Sequence, residues 1–177
     1  MRIFAYAALA MCFVVSPGRA EKPAPILTPS GHPASAQFLH RETLRKLGEE
    51  LTAEAKESGR DFAFATLFVN ETHGAFLTRR TATGEAELHA GVSDYWTIVA
   101  GEGEVVIGGE IVAAEEKAPG ESRGASIKGG ATTRVRAGDQ INIPPGVAHQ
   151  IIIGKDQSIT ILIVKVNVGQ YPWALVK

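Results

Sequence analysis

The chain has 177 residues, 45% of them apolar, with 18 basic and 19 acidic side chains and a formal net charge of −1. That length supports one domain with its own core. The charge balance offers no basic patch for nucleic acid, and the single cysteine, Cys12, rules out a disulfide framework within the chain.

In chain order, Arg2 precedes an apolar run from Ile3 to Val15, which Ser16-Pro17-Gly18 breaks. Gly18 and Ala20 set small residues at the positions a signal peptidase reads, so residues 1–20 are expected to be a cleaved secretory signal. The run is too short to span a bilayer as a helix, and no second long apolar run follows. Removal of Arg2 and Arg19 leaves 16 basic against 19 acidic residues, a net charge of −3. The exported form, periplasmic or secreted, is expected to lack cysteine.

Residues 21–35 carry Pro23, Pro25, Pro29 and Pro33 and read as an extended, poorly ordered leader. A helix is expected over residues 36–60, capped by Ser35 and stopped by Gly59, with Leu44, Leu47, Leu51 and Ala55 on one stripe. From Asp61 the period changes to two: Phe62, Phe64, Thr66 and Phe68 share one face of a strand. Asn70 to Gly74 turns the chain, and Asn70-Glu71-Thr72 matches a glycosylation sequon that matters only in a eukaryotic host.

Ala75 to Arg80 reads as a second strand. Of Arg79 and Arg80, one faces inward and one outward; both are expected in solvent near a strand end, the alternative being an inward arginine on a substrate carboxylate. Glu85 to His89 and Asp94 to Gly101 form the next pair. Glu104 to Ile107 and Ile111 to Ala114 flank Gly108-Gly109, a two-residue hairpin signal. Glu115 to Gly130 is charged and glycine-rich and is expected to be a solvated loop, with a lid as the alternative. Strands resume at Ala131 to Val135, Gln140 to Ile143, His149 to Ile153 and Ile159 to Val168. Lys165 interrupts the last of these and reads as an outward charge guarding an edge, with a pocket group as the alternative. Residues 171–177 form a tail anchored by Tyr171-Pro172-Trp173.

Two stretches carry the chemistry. Gly138, Pro144, Gly146 and His149 stand in the spacing G-x5-P-x-G-x2-H. Proline fixes φ and glycine supplies positive φ, so the chain reverses tightly and delivers His149 to the mouth of a strand. Upstream, Glu87-x-His89-x4-Asp94-x6-Gly101 holds three further side chains able to bind a metal. Glu87 and His89 are two apart and point to one face of a strand. On a regular strand Asp94 shares its face with Trp96 and Ile98.

These stretches resemble the second and first motifs of the cupin superfamily. Glu87 stands where the family has its first histidine, His89 at its second, Asp94 at its glutamate and His149 at the histidine of the second motif. Thr81 replaces the first motif's leading glycine, and Ile153 the asparagine that usually follows the second motif. The resemblance covers about Phe62 to Val168. It implies an all-β, double-stranded β-helix (a jelly-roll barrel) behind an N-terminal helix, with one cupin domain over residues 61–170. It also implies one divalent metal held by Glu87, His89, Asp94 and His149. Homodimerisation through an exposed sheet is common in that family.

Mixed nitrogen and oxygen donors suit Mn, Fe, Ni or Zn, and no thiolate favours a structural zinc cage. Asp94, one methylene shorter than glutamate, either reaches the metal directly, binds through water, or orients His89. Taken alone, Glu87 is also readable as an exposed edge-strand carboxylate and Asp94 as a hairpin-end cap. The function expected is that of an exported divalent-metal-binding cupin acting on a small molecule by oxygenase, isomerase or lyase chemistry, in which Glu87 doubles as general base if it leaves the metal. The alternative is a non-catalytic module that binds a sugar or other small molecule. No catalytic residue beyond the metal set is assigned.

Overall fold

A computed structural model describes residues 38–70 and 72–168. The signal segment, the leader, Ser35 and the Tyr171-Pro172-Trp173 tail lie outside the described residues.

The helix α1 spans Arg41–Ser58. Residues 38–40 are not helical, and the N-cap is His40, which offers no side-chain cap, rather than Ser35. The stop signal is as expected: Gly59 takes φ 65° and its N–H bonds back to the last turn. Leu47, Leu51 and Ala55 are buried on one stripe, against Ala63, Ala65, Leu67, Ala75 and Leu77 of the first two strands. The small alanines let the helix lie close to the sheet.

The strands are β1 Phe62–Val69, β2 His73–Arg80, β3 Ala86–His89, β4 Val92–Ile107, β5 Glu110–Val112, β6 Glu115–Ala118, β7 Glu121–Gly124, β8 Ser126–Lys128, β9 Ala131–Arg136, β10 Gln140–Ile143, β11 His149–Ile152 and β12 Ile159–Asn167. Residues 94–101 and 104–107, expected as separate strands, belong to the single 16-residue β4. Its first half pairs with β12 and β10, its second half with β9 and β11. One sheet therefore runs β1-β2-β12-β4-β10 and the other β9-β4-β11-β3-β7-β6, and β4 is common to both. The change of partner falls at Gly101, where φ is 79° and a Cβ would lie 1.9 Å from the Ser158 carbonyl oxygen. Only glycine fits there.

Two other expectations are corrected. Gly108 and Gly109 do turn the chain, but β5 pairs with β8 in a separate two-stranded sheet rather than folding back on β4. The stretch 115–130 is not a solvated loop: it forms β6, β7 and β8, and β7 extends the sheet beside β3. Charged residues hid these strands, because alternation of buried and exposed positions is the strand signal whatever the polarity.

The barrel interior is lined by Trp96, Ile98, Val105, Val135, Ile143, Ile151, Ile153, Ile159 and Ile161, all buried. Leu162 and Val164 of β12 pack toward α1 instead. Period two thus sends alternate residues of one strand to two different cores.

Candidate metal centre

The candidate residues come together by strand register. His149 opens β11 directly opposite Glu87 of β3. The Pro144-Pro145-Gly146 turn that delivers it is tied to the same strand, for Gly146 takes φ 74° and its N–H donates to the His89 carbonyl at 2.8 Å. Asp94 lies two residues into β4 and faces inward with Trp96 and Ile98, as the alternation requires.

The donor atoms converge. One ligand atom each from Glu87, His89 and His149 lies within 4.8 Å of the others. Glu87 Oε2 is 3.6 Å from His89 Nε2 and 3.9 Å from His149 Nε2. Asp94 Oδ2 is 3.7 Å and 3.8 Å from the same two nitrogens. The two imidazoles lie 5.2 Å apart at 56°, and the edge of His149 meets Trp96 at 5.5 Å. His89, His149 and Asp94 are almost fully buried, whereas the Glu87 side chain keeps 16% exposure. Solvent therefore meets the cluster on the Glu87 side.

Hydrogen bonding fixes both ring tautomers. His89 Nδ1 bonds Glu121 Oε1, and His149 Nδ1 donates to the Val147 carbonyl at 3.1 Å. Both partners only accept here, so each Nδ1 carries a proton, and the Lys165 ammonium 2.8 Å from His89 Nε2 meets a lone pair there. His149 Nε2 is buried with no hydrogen-bond partner. An orphaned acceptor in the interior is costly, and a cation at this point would relieve it. The Glu87, His89 and His149 donors are compatible with a bound metal ion; Asp94 stands outside that group of three, and both its oxygens are held by Lys165.

Three further residues complete the cluster, two of them not singled out in the sequence. Glu121 stands opposite His89 and Arg123 opposite Glu87 in the β3–β7 register. Glu121 is buried, and Arg123 forms an ion pair with Glu87 Oε1 and reaches Glu121 Oε2 at 3.4 Å. The signal for them was the two-residue spacing of Glu121 and Arg123, which puts both on one face of a strand. Lys165 is the third, and its expected outward position is corrected. It stands opposite Asp94 in the β12–β4 register, and its Nζ lies 2.8 Å and 2.9 Å from the Asp94 oxygens and 2.8 Å from His89 Nε2. A buried carboxylate facing it across the strand pair draws the ammonium inward.

Burial acts to raise Glu87 and Asp94, but neighbouring cations outweigh it and hold both below the ordinary carboxylate range. Arg123 is the main one for Glu87 and Lys165 for Asp94. Burial pushes His149 below the usual imidazole value despite Asp94 and Glu87, which keeps Nε2 free of a proton. Trp96 Nε1 donates to Asp94 Oδ2 at 3.2 Å.

The candidate donors lie on β3, β4 and β11, the placement that the two sequence motifs imply, although the long β4 shared by both sheets was not expected. The fold is the all-β antiparallel barrel behind an N-terminal helix that the resemblance to the cupins implied. No family model matches the chain, and no curated protein does. Among solved structures, the DMSP lyase DddQ from Ruegeria pomeroyi matches with 16% identity and a TM-score of 0.47, over 66% of this chain and 52% of that one. A cupin 2 conserved barrel domain protein from Rhodopseudomonas palustris matches with 19% identity and a TM-score of 0.45, over 63% of each chain. A double-stranded β-helix protein from Klebsiella pneumoniae matches with 15% identity and a TM-score of 0.47, over 63% of this chain and 81% of that one. The chain thus spans about half the length of the lyase.

Among the described residues no helix is long and apolar enough to cross a membrane. Arg79 turns toward α1, where its Nε donates to Thr52 Oγ1 at 2.9 Å. Arg80 turns inward, with its guanidinium 4.2 Å from the centre of the Phe62 ring. His40 stands at the N-cap position of α1, and His73 opens β2, where its ring nitrogens meet Asn70 and Thr72 rather than the cluster.

Proposed function

We propose that this chain is an exported, divalent-metal-binding cupin that transforms a small molecule. The observation that carries the reading is His149 Nε2, a buried lone pair without a partner that points where Glu87, His89 and Asp94 converge. His89 and His149 would hold the metal through Nε2, Glu87 through Oε2 and Asp94 through Oδ2. A metal bound there would polarise a substrate oxygen or activate water or O2, in an oxygenase, isomerase or lyase reaction.

The chain's own residues prepare the site. Glu121 and the Val147 carbonyl hold the Nδ1 protons and so aim both Nε2 lone pairs. Trp96, Ile98 and Ile151 wall the interior and exclude water. Glu87, on the solvent side, is placed to exchange a proton with a bound substrate if it leaves the metal. Export rests on the charged, apolar, small-residue order of residues 1–20. Mass spectrometry of secreted or periplasmic material should find a form beginning near Glu21; an intact Met1 or a lipid on Cys12 would refute it.

A specific observation favours a second reading, a non-catalytic binding module. Lys165 Nζ already occupies the His89 Nε2 lone pair and both oxygens of Asp94. In that reading the ammonium serves in place of a metal.

Elemental analysis of protein purified without a histidine tag separates the two. The metalloenzyme reading expects a stoichiometric first-row divalent metal, lost in His149→Ala while cooperative unfolding is retained. Metal-free wild-type protein, or unchanged metal in a folded His149→Ala variant, favours the binding module.

A further inference from the structure

The Arg80 side chain keeps only 20% exposure, yet its guanidinium makes no hydrogen bond among the described residues. Its nearest carboxylate oxygen, Glu87 Oε1, lies 3.8 Å from Nη2, beyond hydrogen-bond reach, and that oxygen is already paired with Arg123. One face of the guanidinium is stacked on Phe62. Gly84 leaves room for it, since a Cβ there would sit 3.0 Å from Nη1. A stacked, planar group with its N–H edge unsatisfied is pre-organised to grip a carboxylate with two parallel bonds. Arg123 differs, being engaged with both Glu87 and Glu121.

The charge of the whole cluster agrees. Glu87, Asp94 and Glu121 are matched by Arg80, Arg123 and Lys165. With neutral imidazoles the site sums to zero. A divalent metal would leave it at about +2, a field that attracts an anion into a partly closed site. This count rests on the metal reading; the Arg80 geometry does not. Access agrees too, because the most exposed side chains of the cluster are Arg123 at 26%, Arg80 at 20% and Glu87 at 16%, ahead of Lys165 at 13%.

From this geometry we infer that the site takes a small organic carboxylate, whose carboxylate end lies against the Arg80 N–H edge beside Glu87. Arg80 is the residue that selects an anionic ligand over its neutral isostere.

Calorimetry on the untagged full chain, in the metal state in which it is purified, tests this with malonate and succinate against malonamide and succinamide. The dicarboxylates are expected to bind in preference to the diamides. Arg80→Gln should weaken them about ten- to a hundredfold, the loss of charge-assisted hydrogen bonds, with metal content unchanged. Arg80→Lys keeps the charge and loses the fork, so it should restore only part of the affinity, and it serves as the test if Arg80→Gln does not fold. Equal binding of dicarboxylates and diamides, no binding of either, or unaltered affinity in a folded Arg80 variant overturns the inference. Metal-free protein that still prefers dicarboxylates through Arg80 keeps this inference and removes the metal reading. Metal-bearing protein without that preference does the reverse.

Discussion

The sheet of β1, β2, β12 and the first half of β4 has two faces with opposite chemistries. Toward α1 it presents Ala63, Ala65, Leu67, Ala75 and Leu77, an apolar surface closed by Leu47 and Leu51. Toward the barrel interior the same strands present Arg80, Asp94 and Lys165 among isoleucines and Trp96. Burial on the first face is non-directional, so each side chain contributes in rough proportion to its area. Stability on the second depends on matched partners, so losing one group leaves another charged and unpaired. The difference teaches that a site and a core can share strands because alternate residues answer to different physics.

The sharpest way to break the contrast is Lys165→Met. It strands the buried Asp94 carboxylate and should destabilise the metal-free protein by about 3–5 kcal/mol in denaturant unfolding. Asp94→Asn in the same chain should recover much of that loss, which separates charge from packing. Because Lys165 holds the His89 lone pair, Lys165→Met should also raise metal affinity, and added metal should restore its midpoint. Unchanged stability would place Lys165 in solvent.

On the helix face, Leu47→Ala should cost about 2–5 kcal/mol. No partner is stranded there, so a volume-conserving Leu47→Met should cost less than about 1.5 kcal/mol. Thermal or denaturant midpoints would check both, and a negligible effect of Leu47→Ala would mean that α1 is undocked.

This contrast also marks how far the sequence could be read. Pro144-Pro145-Gly146 and His149 are close in the chain, so their turn and its delivered histidine were legible from local backbone rules. The same is true of Leu47, Leu51 and Ala55, whose spacing reports a helix stripe directly. Lys165, Glu121 and Arg123 were misread because their surroundings are set by register. Nothing near Lys165 in sequence announces Asp94, and nothing near Glu121 announces His89. The β3–β7 and β12–β4 pairings supply those neighbours.

Smaller effects sharpen the comparison inside the site. Glu121→Ala frees the His89 ring and should weaken metal binding about 10–100-fold, measured by competition with a chelator, with Glu121→Gln between that variant and wild type. The mildest change is at Glu87. Glu87→His puts nitrogen in place of oxygen and should keep a metal while shifting retention from Mn toward Ni, Cu or Zn. Glu87→Gln keeps the shape, removes the charge and should weaken every divalent metal. Identical metal and affinity in both variants would take Glu87 out of the donor set.

The strand β4 has a kinetic consequence. It is the one long element that belongs to both sheets, with Asp94 in its first half and the partner of β11 in its second. The donors therefore cannot meet until two distant hairpin systems have closed on opposite ends of the same strand. Non-local pairing of this kind is slow, since loop-closure entropy is lost before contacts repay it. Assembly of the centre is accordingly expected late in folding, which unfolding and refolding rates with and without added metal would check. A metal held by donors from β3, β4 and β11 would then bind the finished barrel and slow its unfolding, while leaving the early steps of its formation untouched.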